Sequence, residues 1–306
     1  MTKSPAATPE GLLLVDKPGG LTSHDVVSRV RRLAGTRRVG HAGTLDPMAT
    51  GLLVLGIGRA TRLLTHLVGA DKTYTATIRL GQATSTDDAG GDILAAAGAA
   101  LTRDAVEGEL PALTGAIEQV PSRVSAIKIN GKRAYERARA GETVEIPARP
   151  VTVHEFTITD LRPATATGGV EVTDVDVHVR CSSGTYIRAL ARDLGERLGV
   201  GGHLTALRRS HVGPFDVAHA MELPGRSDER PALQEPAFLT LAHALAAAFP
   251  IRLATEAEAR ALSYGQSIPA SIAPGPTGVL GPEGEAIAVV ENREGEAKPV
   301  LVLAPA

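Results

Sequence analysis

One short stretch, residues 40–51, constrains this chain more than any other. It reads Gly-His-Ala-Gly-Thr-Leu-Asp-Pro-Met-Ala-Thr-Gly and runs into an apolar segment at 52–55. Pro47 fixes its own φ and disfavours helical geometry at Asp46, while the glycines allow backbone angles that a Cβ forbids. The stretch therefore predicts one carboxylate on a stiff loop that leads into a buried strand. Catalytic groups are often mounted in this way.

The alternative for Asp46 is a structural one, in which its side chain caps a helix that begins at Pro47. Thr50, Gly51 and the strand-like run after them leave little room for such a helix. The functional interpretation of Asp46 is therefore favoured.

Composition bounds the class of protein. A chain of 306 residues with 43% hydrophobic residues can bury a core and predicts one large domain and one small one. No apolar run is long enough to span a bilayer, and the first ten residues lack the apolar core of a signal peptide. Cys181 is the only cysteine, which excludes an intrachain disulfide and fits a cytoplasmic protein.

The charge distribution bears on nucleic-acid binding. A net charge of −2 argues against such a partner, because nucleic-acid-binding proteins usually carry a basic surface. Arginines, which favour bidentate phosphate contacts, nevertheless form three clusters next to candidate site segments. The alternative is that each cluster is a solvated face offset by nearby acids. The clusters comprise Arg29, Arg31, Arg32, Arg37 and Arg38; Lys128, Lys132, Arg133, Arg137 and Arg139; and Arg188, Arg192, Arg208 and Arg209.

Hydrophobic periodicity predicts the main elements. We expect buried strands at 12–15 and 52–55, a helix from Thr22 or Ser23 to Gly35, and a second helix at 59–68. Strands are expected at 73–80, 151–158, 170–179 and 204–212, with Tyr74 on the apolar face of the first of these. We also expect a hairpin at 127–132, a basic helix at 133–140, a helix at about 187–198 and another at 238–248. Beyond 250 we expect a strand at 251–253, a helix capped by Thr255, and strands at 278–280, 286–291 and 300–303.

Several segments together resemble the TruB family, the bacterial tRNA pseudouridine-55 synthases. Besides the loop at 40–51, they occur in the family's order over about the first two-thirds of the chain. They are Gly-Leu-Leu-Leu-Val-Asp-Lys-Pro at 11–18, Asp-Lys-Thr-Tyr at 71–74, Leu-Gly-Gln-Ala-Thr-Ser-Thr-Asp at 80–87, Cys-Ser-Ser-Gly-Thr-Tyr-Ile-Arg at 181–188 and Leu-Arg-Arg at 207–209.

The resemblance implies an α+β chain with the pseudouridine synthase fold, built on a mixed, largely antiparallel central sheet, plus a small C-terminal PUA-like β-barrel. We predict a disordered lead at 1–10 and a catalytic domain at 11–222, with an RNA-gripping insertion at 121–149. A linker and connecting helix at 223–248 then lead to the PUA-like domain at 249–306. That domain carries seven glutamates against few basic residues, so we expect it to add little RNA affinity.

The resemblance also assigns catalytic roles. Asp46 matches the family's catalytic aspartate, Arg188 would keep that acid ionised, and Tyr74 would stack on the target uracil and assist proton removal. From the residues alone, Arg188 is equally compatible with a surface ion pair to Asp193 or Glu196, and Tyr74 with a plain core position. The reaction involves no redox change, so we expect no cofactor. The acids of the loop at 84–92 do not match a calcium-loop spacing, so we expect no metal there.

Four further residues are implied to bind substrate. His41 would lie near the extruded nucleotide, because a base within a folded loop must be flipped out to react. Tyr186 and Leu207 match positions that line the uridine pocket, and Lys17 would meet a phosphate. The alternatives are a hydrogen-bonded loop histidine for His41, core positions for Tyr186 and Leu207, and an ammonium that merely snorkels for Lys17.

The resemblance therefore predicts a monomeric cytoplasmic enzyme that binds the tRNA T-arm and isomerises the uridine at tRNA position 55, with no membrane association and no obligate protein partner. Whether Asp46 attacks the ribose carbon, attacks the base or promotes a glycal-type elimination stays open. Two other functions stay open as well. One is an RNA chaperone that refolds tRNA, alone or in addition to catalysis, and the other is a glycosidase-like enzyme on free nucleosides.

Overall fold

The computed structural model describes residues 8–122, 128–129, 132–133, 146–223, 233–270 and 273–306. The chain divides into two compact units, one comprising residues up to Gly69 together with His211–Ala306, and the other comprising Ala70–Ser210. None of the helices in the described ranges is both long and apolar enough to cross a bilayer. The domain limits that the sequence predicts stay predictions.

Strands and helices follow one another in three runs along the chain. The first run comprises β1 (Gly11–Lys17), α1 (Ser23–Ala34), β2 (Val39–His41), β3 (Thr50–Ile57) and α2 (Leu64–Val68). The second comprises β4 (Lys72–Leu80), β5 (Ala83–Thr84), β6 (Ile93–Ala95), α3 (Arg103–Glu107), β7 (Gly115–Gln119), β8 (Lys128–Ile129), β9 (Lys132–Arg133), β10 (Arg149–Thr165), β11 (Glu171–Cys181), α4 (Ile187–Arg197) and β12 (Gly202–Val212). The third comprises β13 (Phe215–Asp216), β14 (Met221–Glu222), β15 (Phe238–Thr240), α5 (Leu241–Ala248), β16 (Ile251–Leu253), α6 (Glu256–Ser263), β17 (Ile268–Pro269), β18 (Thr277–Leu280), β19 (Ala286–Arg293) and β20 (Glu296–Val302).

The first unit is built on β1 and β3, which pair antiparallel along their whole length. β14 adds to β1 in parallel, and β2 and β15 add antiparallel, so this sheet is mixed as predicted. Residues 11–15 of β1 and 51–57 of β3 are apolar, since both faces of the sheet are buried there. One face packs on α1, through Leu13, Leu53 and Leu55. The other packs on α5 and the C-terminal strands, through Leu12, Leu14, Leu52 and Val54.

Helix α1 confirms the predicted caps. Thr22 is the N-cap, and it forms a capping box with Asp25, whose carboxylate accepts from the Thr22 backbone N–H. Gly35 ends the helix in the left-handed conformation at φ 66°. Ser23, the other cap candidate, is instead buried as the first helical residue, and its hydroxyl turns towards the loop that carries Asp46.

The prediction of one helix at 59–68 is only partly right. A 3₁₀ helix at Gly58–Arg62 is followed by the short α2, with Leu63 as the junction between them. The Arg59 side chain anchors the 3₁₀ helix, because it donates hydrogen bonds to the Glu10 carboxylate and to the Leu303 carbonyl oxygen. These contacts fasten the C-terminal strands to the start of the chain.

The C-terminal strands form a separate five-stranded sheet in the order β16-β18-β19-β20-β17. β16 pairs with β18 in parallel, and the remaining pairs are antiparallel. Thr255 caps α6 through the predicted capping box with Glu258. The short β17 was not predicted, because its two residues carry no detectable alternation.

Five strands of the second unit pair side by side in the order β12-β4-β11-β10-β7. β4, β11, β10 and β7 pair antiparallel. β10 extends several residues beyond the predicted strand at 151–158, whereas β11 agrees with the predicted strand at 170–179 to within two residues at each end. β8 and β9 pair antiparallel, which confirms the predicted hairpin. The predicted basic helix at 133–140 and most of the predicted linker at 223–236 lie outside the described residues.

Candidate active site

The loop between β2 and β3 presents Asp46 half-buried. No helix begins at Pro47, so the capping alternative for Asp46 is wrong. The loop turns through Gly43 at φ 88° and reaches β3 through Gly51 at φ 99°, a region that favours glycine. Gly40, which was also expected to need such freedom, does not have a positive φ; a Cβ there would meet the Leu64 side chain at 3.1 Å.

Buried groups fix the peptide units on both sides of Asp46. On one side, the Ser23 hydroxyl accepts from the Leu45 backbone N–H at 2.9 Å and donates to the Leu45 carbonyl oxygen at 3.2 Å. On the other side, the Pro47 carbonyl oxygen accepts from the Gly20 backbone N–H at 2.8 Å and from Lys17 Nζ at 3.3 Å. The carboxylate therefore stands on a backbone that does not need to reorganise during a reaction.

Lys17 differs from the expected phosphate contact. Its side chain is 0% exposed, and Nζ also donates to the carbonyl oxygens of Leu21 at 2.8 Å and Pro18 at 3.0 Å. A buried ammonium needs such acceptors to offset the loss of its hydration. Lys17 therefore stabilises the loop by donating to the Pro47 carbonyl oxygen. It is too buried to contact a phosphate, and its ammonium does not snorkel to the surface.

His41 lies on the same unit as Asp46, at the end of β2. It pairs with Leu55 of β3 and is half-buried. The sequence had placed His41 in irregular structure; the short β2 instead fixes its backbone in an extended conformation.

In the second unit, Tyr74 lies on β4 opposite Val179 of β11 and is 8% exposed. It shares its face of the strand with Ala76, Ile78 and Leu80, as the alternation predicts. Lys72 occupies the same face two residues earlier and pairs with Cys181 of β11.

Burial, together with the smaller effect of the nearby Arg209 guanidinium, lowers the pKa of Lys72 to about 8. Burial also raises the pKa of Cys181 to about 11, so this thiol stays protonated at neutral pH. At one end of the face that carries Tyr74, Lys72 therefore has an unusually low pKa, and the neighbouring Cys181 thiol is unreactive.

The Lys72 pKa predicts a pH-dependent stability. The unfolded chain keeps this proton up to the ordinary pKa of 10.5, whereas the folded protein releases it above about 8. The unfolded state therefore binds more protons in this window, and the free energy of unfolding rises with pH, by roughly 3 kcal/mol in all. Urea denaturation at pH 7.5 and pH 10 measures the rise.

The matched variants for this prediction are Lys72→Met, which removes the titrating group, and Lys298→Met, which removes an exposed lysine. We expect the wild-type protein and Lys298→Met to gain stability across the window relative to Lys72→Met. Equal pH dependence in all three proteins contradicts the assignment of the effect to Lys72.

Arg188 lies in the first turn of α4 and is 4% exposed. Its Nη1 donates to the Thr86 carbonyl oxygen at 3.0 Å and contacts Asp88 Oδ2 at 3.3 Å. The alternative of a surface ion pair with Asp193 or Glu196 is therefore wrong. It is Arg192, one turn further along α4, that contacts both of those acids.

Asp88 is the residue of this site that the sequence reasoning missed. Besides Arg188, its carboxylate accepts from the Thr86 hydroxyl at 2.7 Å and from the Gly90 backbone N–H at 2.9 Å. Asp88 thus joins the loop at 84–92 to α4. The Asp-x-Gly turn at 88–90 was a usable sequence signal for this residue. Among the described residues, no three His, Cys, Asp or Glu side chains are placed to hold a metal ion.

Tyr186 and Leu207, the two predicted pocket residues, lie on neighbouring parts of the same unit. Tyr186 is half-buried and is the N-cap residue of α4, two positions before Arg188. Leu207 is buried on β12, the strand next to β4, which carries Tyr74. The unit therefore brings three of the predicted residues to α4 and β4, and Leu207 to the neighbouring strand.

The three arginine clusters have different environments. In the first, Arg32, Arg37 and Arg38 are exposed, and no acid pairs with any of them within the described part of the chain. The side chains of the second lie outside the described residues. In the third, Arg188 and Arg209 are buried, so the structure does not present them to a phosphate. The interpretation as a phosphate-binding surface therefore stays a prediction for the first cluster and does not fit Arg188 and Arg209.

Comparison with known proteins gives three family-model matches. Residues 31–187 match the model described as TruB family pseudouridylate synthase (N terminal domain). Residues 188–225 match the tRNA pseudouridylate synthase B C-terminal domain, and residues 249–304 match tRNA Pseudouridine synthase II, C terminal.

Curated relatives match over nearly their whole length. The chain is 58% identical to tRNA pseudouridine synthase B of Thermobifida fusca (strain YX) over 296 residues, covering 96% of this chain and 99% of the relative. It is 54% identical to the protein of the same name from Arthrobacter sp. (strain FB24) over 305 residues, covering 96% and 97% of the two chains.

Solved structures match the fold at lower identity. A chain in a Cbf5-Nop10-Gar1 complex superposes with a TM-score of 0.71 at 23% identity, covering 97% of this chain and 86% of that one. A chain in an archaeal box H/ACA sRNP Nop10-Cbf5 complex gives 0.69 at 23% identity, with 99% and 89% covered. These likenesses confirm the predicted fold class.

Proposed function

This chain belongs to the TruB family of pseudouridylate synthases, and from that premise we propose that it isomerises a uridine of tRNA to pseudouridine, at T-loop position 55. The enzyme is a pseudouridine synthase, an isomerase. The names of its relatives, tRNA pseudouridine synthase B, support tRNA as the substrate. The proposal includes a monomer that acts in the cytoplasm without an obligate protein partner.

The isomerisation defines what the site must do. The bond between uracil N1 and ribose C1′ breaks, the base turns, and C5 joins C1′. The proton on C5 is lost and N1 gains one, so atoms and electrons balance without an oxidant or an external energy source. The difficult step needs a carboxylate that captures or stabilises an electron-poor centre, much as glycosidases use one. We propose that Asp46 is this carboxylate.

The observation that carries the proposal is the fixed backbone around Asp46. Buried hydrogen bonds from Ser23 and Lys17 hold the peptide units before and after it, while the carboxylate itself stays half-buried. A nucleophile held in this way is already oriented before substrate binds, which lowers the entropic cost of attack. An ordinary surface aspartate has no need of such support.

The other predicted residues keep their proposed roles, with one change. We propose that Tyr74 stacks on the uracil and assists proton removal at C5, that Arg188 supports the ionised acid, and that Tyr186, Leu207 and His41 receive the flipped nucleotide. Lys17 becomes a positioning residue, because it is buried beneath the loop. The buried pair of Arg188 and Asp88 supports a fixed orientation for the guanidinium.

We propose that the first arginine cluster binds phosphates of the T-arm. Its exposed members, Arg32, Arg37 and Arg38, lie on and just after the last turn of α1. The C-terminal module differs, because Arg252 contacts Glu258 and Arg293 contacts Glu291. Selectivity would come from the shape of the T-loop and from base stacking, as is usual for RNA.

This proposal predicts a change in salt dependence. We expect Arg37→Gln to weaken tRNA binding and to reduce the slope of log K against log salt by about 0.7–0.9, the value for one phosphate contact. A salt titration of binding, followed by fluorescence anisotropy of labelled tRNA, measures the slope. Arg293→Gln is the matched control, since its guanidinium already has an acidic partner, and it should leave the slope unchanged. Equal slopes for the two variants contradict the proposed phosphate surface.

The substrate assignment is tested with pieces of tRNA. We expect the wild-type protein to convert a hairpin that contains only the T-arm. We expect it to leave unmodified a tRNA transcript in which the uridine at T-loop position 55 is replaced by cytidine. If the transcript with cytidine is converted at another uridine, the protein is still a pseudouridine synthase, but the proposed specificity for position 55 is wrong.

A further inference from the structure

Gln119, the last residue of β7, makes two hydrogen bonds to the backbone of one residue of the site, Tyr186. The Gln119 side chain is 1% exposed. Its Nε2 donates to the Tyr186 carbonyl oxygen at 3.1 Å, and its Oε1 accepts from the Tyr186 backbone N–H at 2.8 Å. An amide offers a donor and an acceptor side by side, so these two bonds fix both the position and the orientation of the residue they hold.

The residue that Gln119 holds starts the helix that carries Arg188. Tyr186 is the N-cap of α4, with φ −101° and ψ 108°, and its own side chain makes no capping hydrogen bond. The Tyr186 carbonyl oxygen also accepts from the Leu190 backbone N–H at 3.2 Å, as the first bond of the helix. Gln119 therefore fixes the backbone at the start of α4, where the side chain of the N-cap residue Tyr186 forms no capping hydrogen bond.

The residue after Gln119, Val120, contacts the same helix six residues further along, at Arg192. The Val120 carbonyl oxygen accepts from Arg192 Nη2 at 2.8 Å. Arg188 stands between these two points, since it follows Tyr186 by two residues and precedes Arg192 by four. Consecutive residues at the end of β7 thus hold α4 on both sides of Arg188.

We propose that Gln119 is a positioning residue for the isomerisation, which acts by fixing the helix start that carries Arg188. This inference rests on the proposed function, because it takes Arg188 to serve the reaction. It differs from a purely structural role, in which the buried amide would stabilise the fold without a selective effect on the rate.

The test variant is Gln119→Met, which keeps the volume and removes both hydrogen bonds. We expect the single-turnover rate constant on bound tRNA to fall by about 10²-fold, the usual consequence of a misplacement of about 1 Å. The Kd for tRNA should change by less than about twofold, since phosphate contacts dominate affinity. The rate is measured with enzyme in excess over tRNA, so that only folded, bound protein contributes. Gln119→Asn, which stays polar but is one methylene too short, should reproduce the loss.

A double-mutant cycle with Arg188→Lys tests whether Gln119 acts through Arg188. If it does, Gln119→Met slows the Arg188→Lys enzyme far less than it slows the wild type. A purely structural residue would instead lower both rates by the same factor, and that result overturns the proposal.

Gln82→Met is the matched control, because Gln82 is a buried glutamine of the same unit whose Nε2 has no hydrogen-bond partner within the described part of the chain. We expect it to retain the wild-type rate. A Gln119→Met rate within about threefold of the control overturns the inference while leaving the proposed function intact. A wild-type protein that makes no pseudouridine overturns the proposed function, and the inference falls with it.

Discussion

Asp46→Asn is expected to lower the single-turnover rate of pseudouridine formation by about 10⁴-fold or more, the scale seen when a catalytic nucleophile is removed. The amide has nearly the shape of the carboxylate, but it is a far poorer nucleophile and carries no charge to stabilise an electron-poor centre. Release of tritium from tRNA labelled at uridine C5 follows the reaction directly, since the proton on C5 is lost.

Measurement of tRNA binding distinguishes a loss of catalysis in Asp46→Asn from misfolding of the variant. The Kd of Asp46→Asn for tRNA should stay within about twofold of the wild-type value, because RNA affinity comes mainly from phosphate contacts. Asp216→Asn is the matched control, since Asp216 lies in the same unit and its side chain caps a short 3₁₀ turn, which asparagine also caps well. Turnover by Asp46→Asn at the rate of this control contradicts the assigned role.

The second large effect is expected at Arg188. Replacement by methionine should slow the reaction by about 10²–10³-fold, comparable with the loss of one preorganised donor in other active sites. The guanidinium is a permanently charged donor, held by its contacts with the Thr86 carbonyl oxygen and the Asp88 carboxylate. Asp88→Asn removes the counter-ion but keeps the guanidinium, so its loss should be smaller, about 10–100-fold.

Arg197→Met is the matched control for Arg188, because Arg197 lies on the same helix and pairs with Glu109 at the surface. Thermal unfolding should show a larger loss of stability for Arg188→Met, since that variant leaves Asp88 buried without its counter-ion. The rates are therefore compared on bound tRNA with excess enzyme. An Arg188→Met rate equal to that of Arg197→Met contradicts a role for Arg188 in the reaction.

Where a pattern was repeated over several residues, the sequence predicted the fold well. The apolar runs in β1 and β3, the alternation in β4 and the capping residues Thr22 and Thr255 all have their expected roles. These features are local, so their physical causes are visible in adjacent residues. The C-terminal end of β10 was underestimated because the polar residues that extend it are stabilised by cross-strand pairs such as Arg162 with Asp176.

Within the candidate site, the sequence identified the loop of Asp46 but not the groups that support it. Ser23 was considered only as a helix cap, and Lys17 only as a basic side chain that meets a phosphate or snorkels to the surface. Their contacts with Leu45 and Pro47 cross 22 and 30 residues of sequence, respectively. The pairing of Arg188 with Asp88 crosses 100 residues. The hydrophobic periodicity of a sequence does not predict contacts of this kind, because they depend on how elements far apart in the sequence pack.

The most direct test of the account is to map pseudouridine at nucleotide resolution on an unmodified tRNA transcript, after treatment with the wild-type protein or Asp46→Asn. We expect a single pseudouridine at T-loop position 55 with the wild type and none with the variant. Modification by Asp46→Asn at the wild-type level would contradict this expectation. So would tight tRNA binding by the wild type without any pseudouridine, a result that would indicate an RNA chaperone instead.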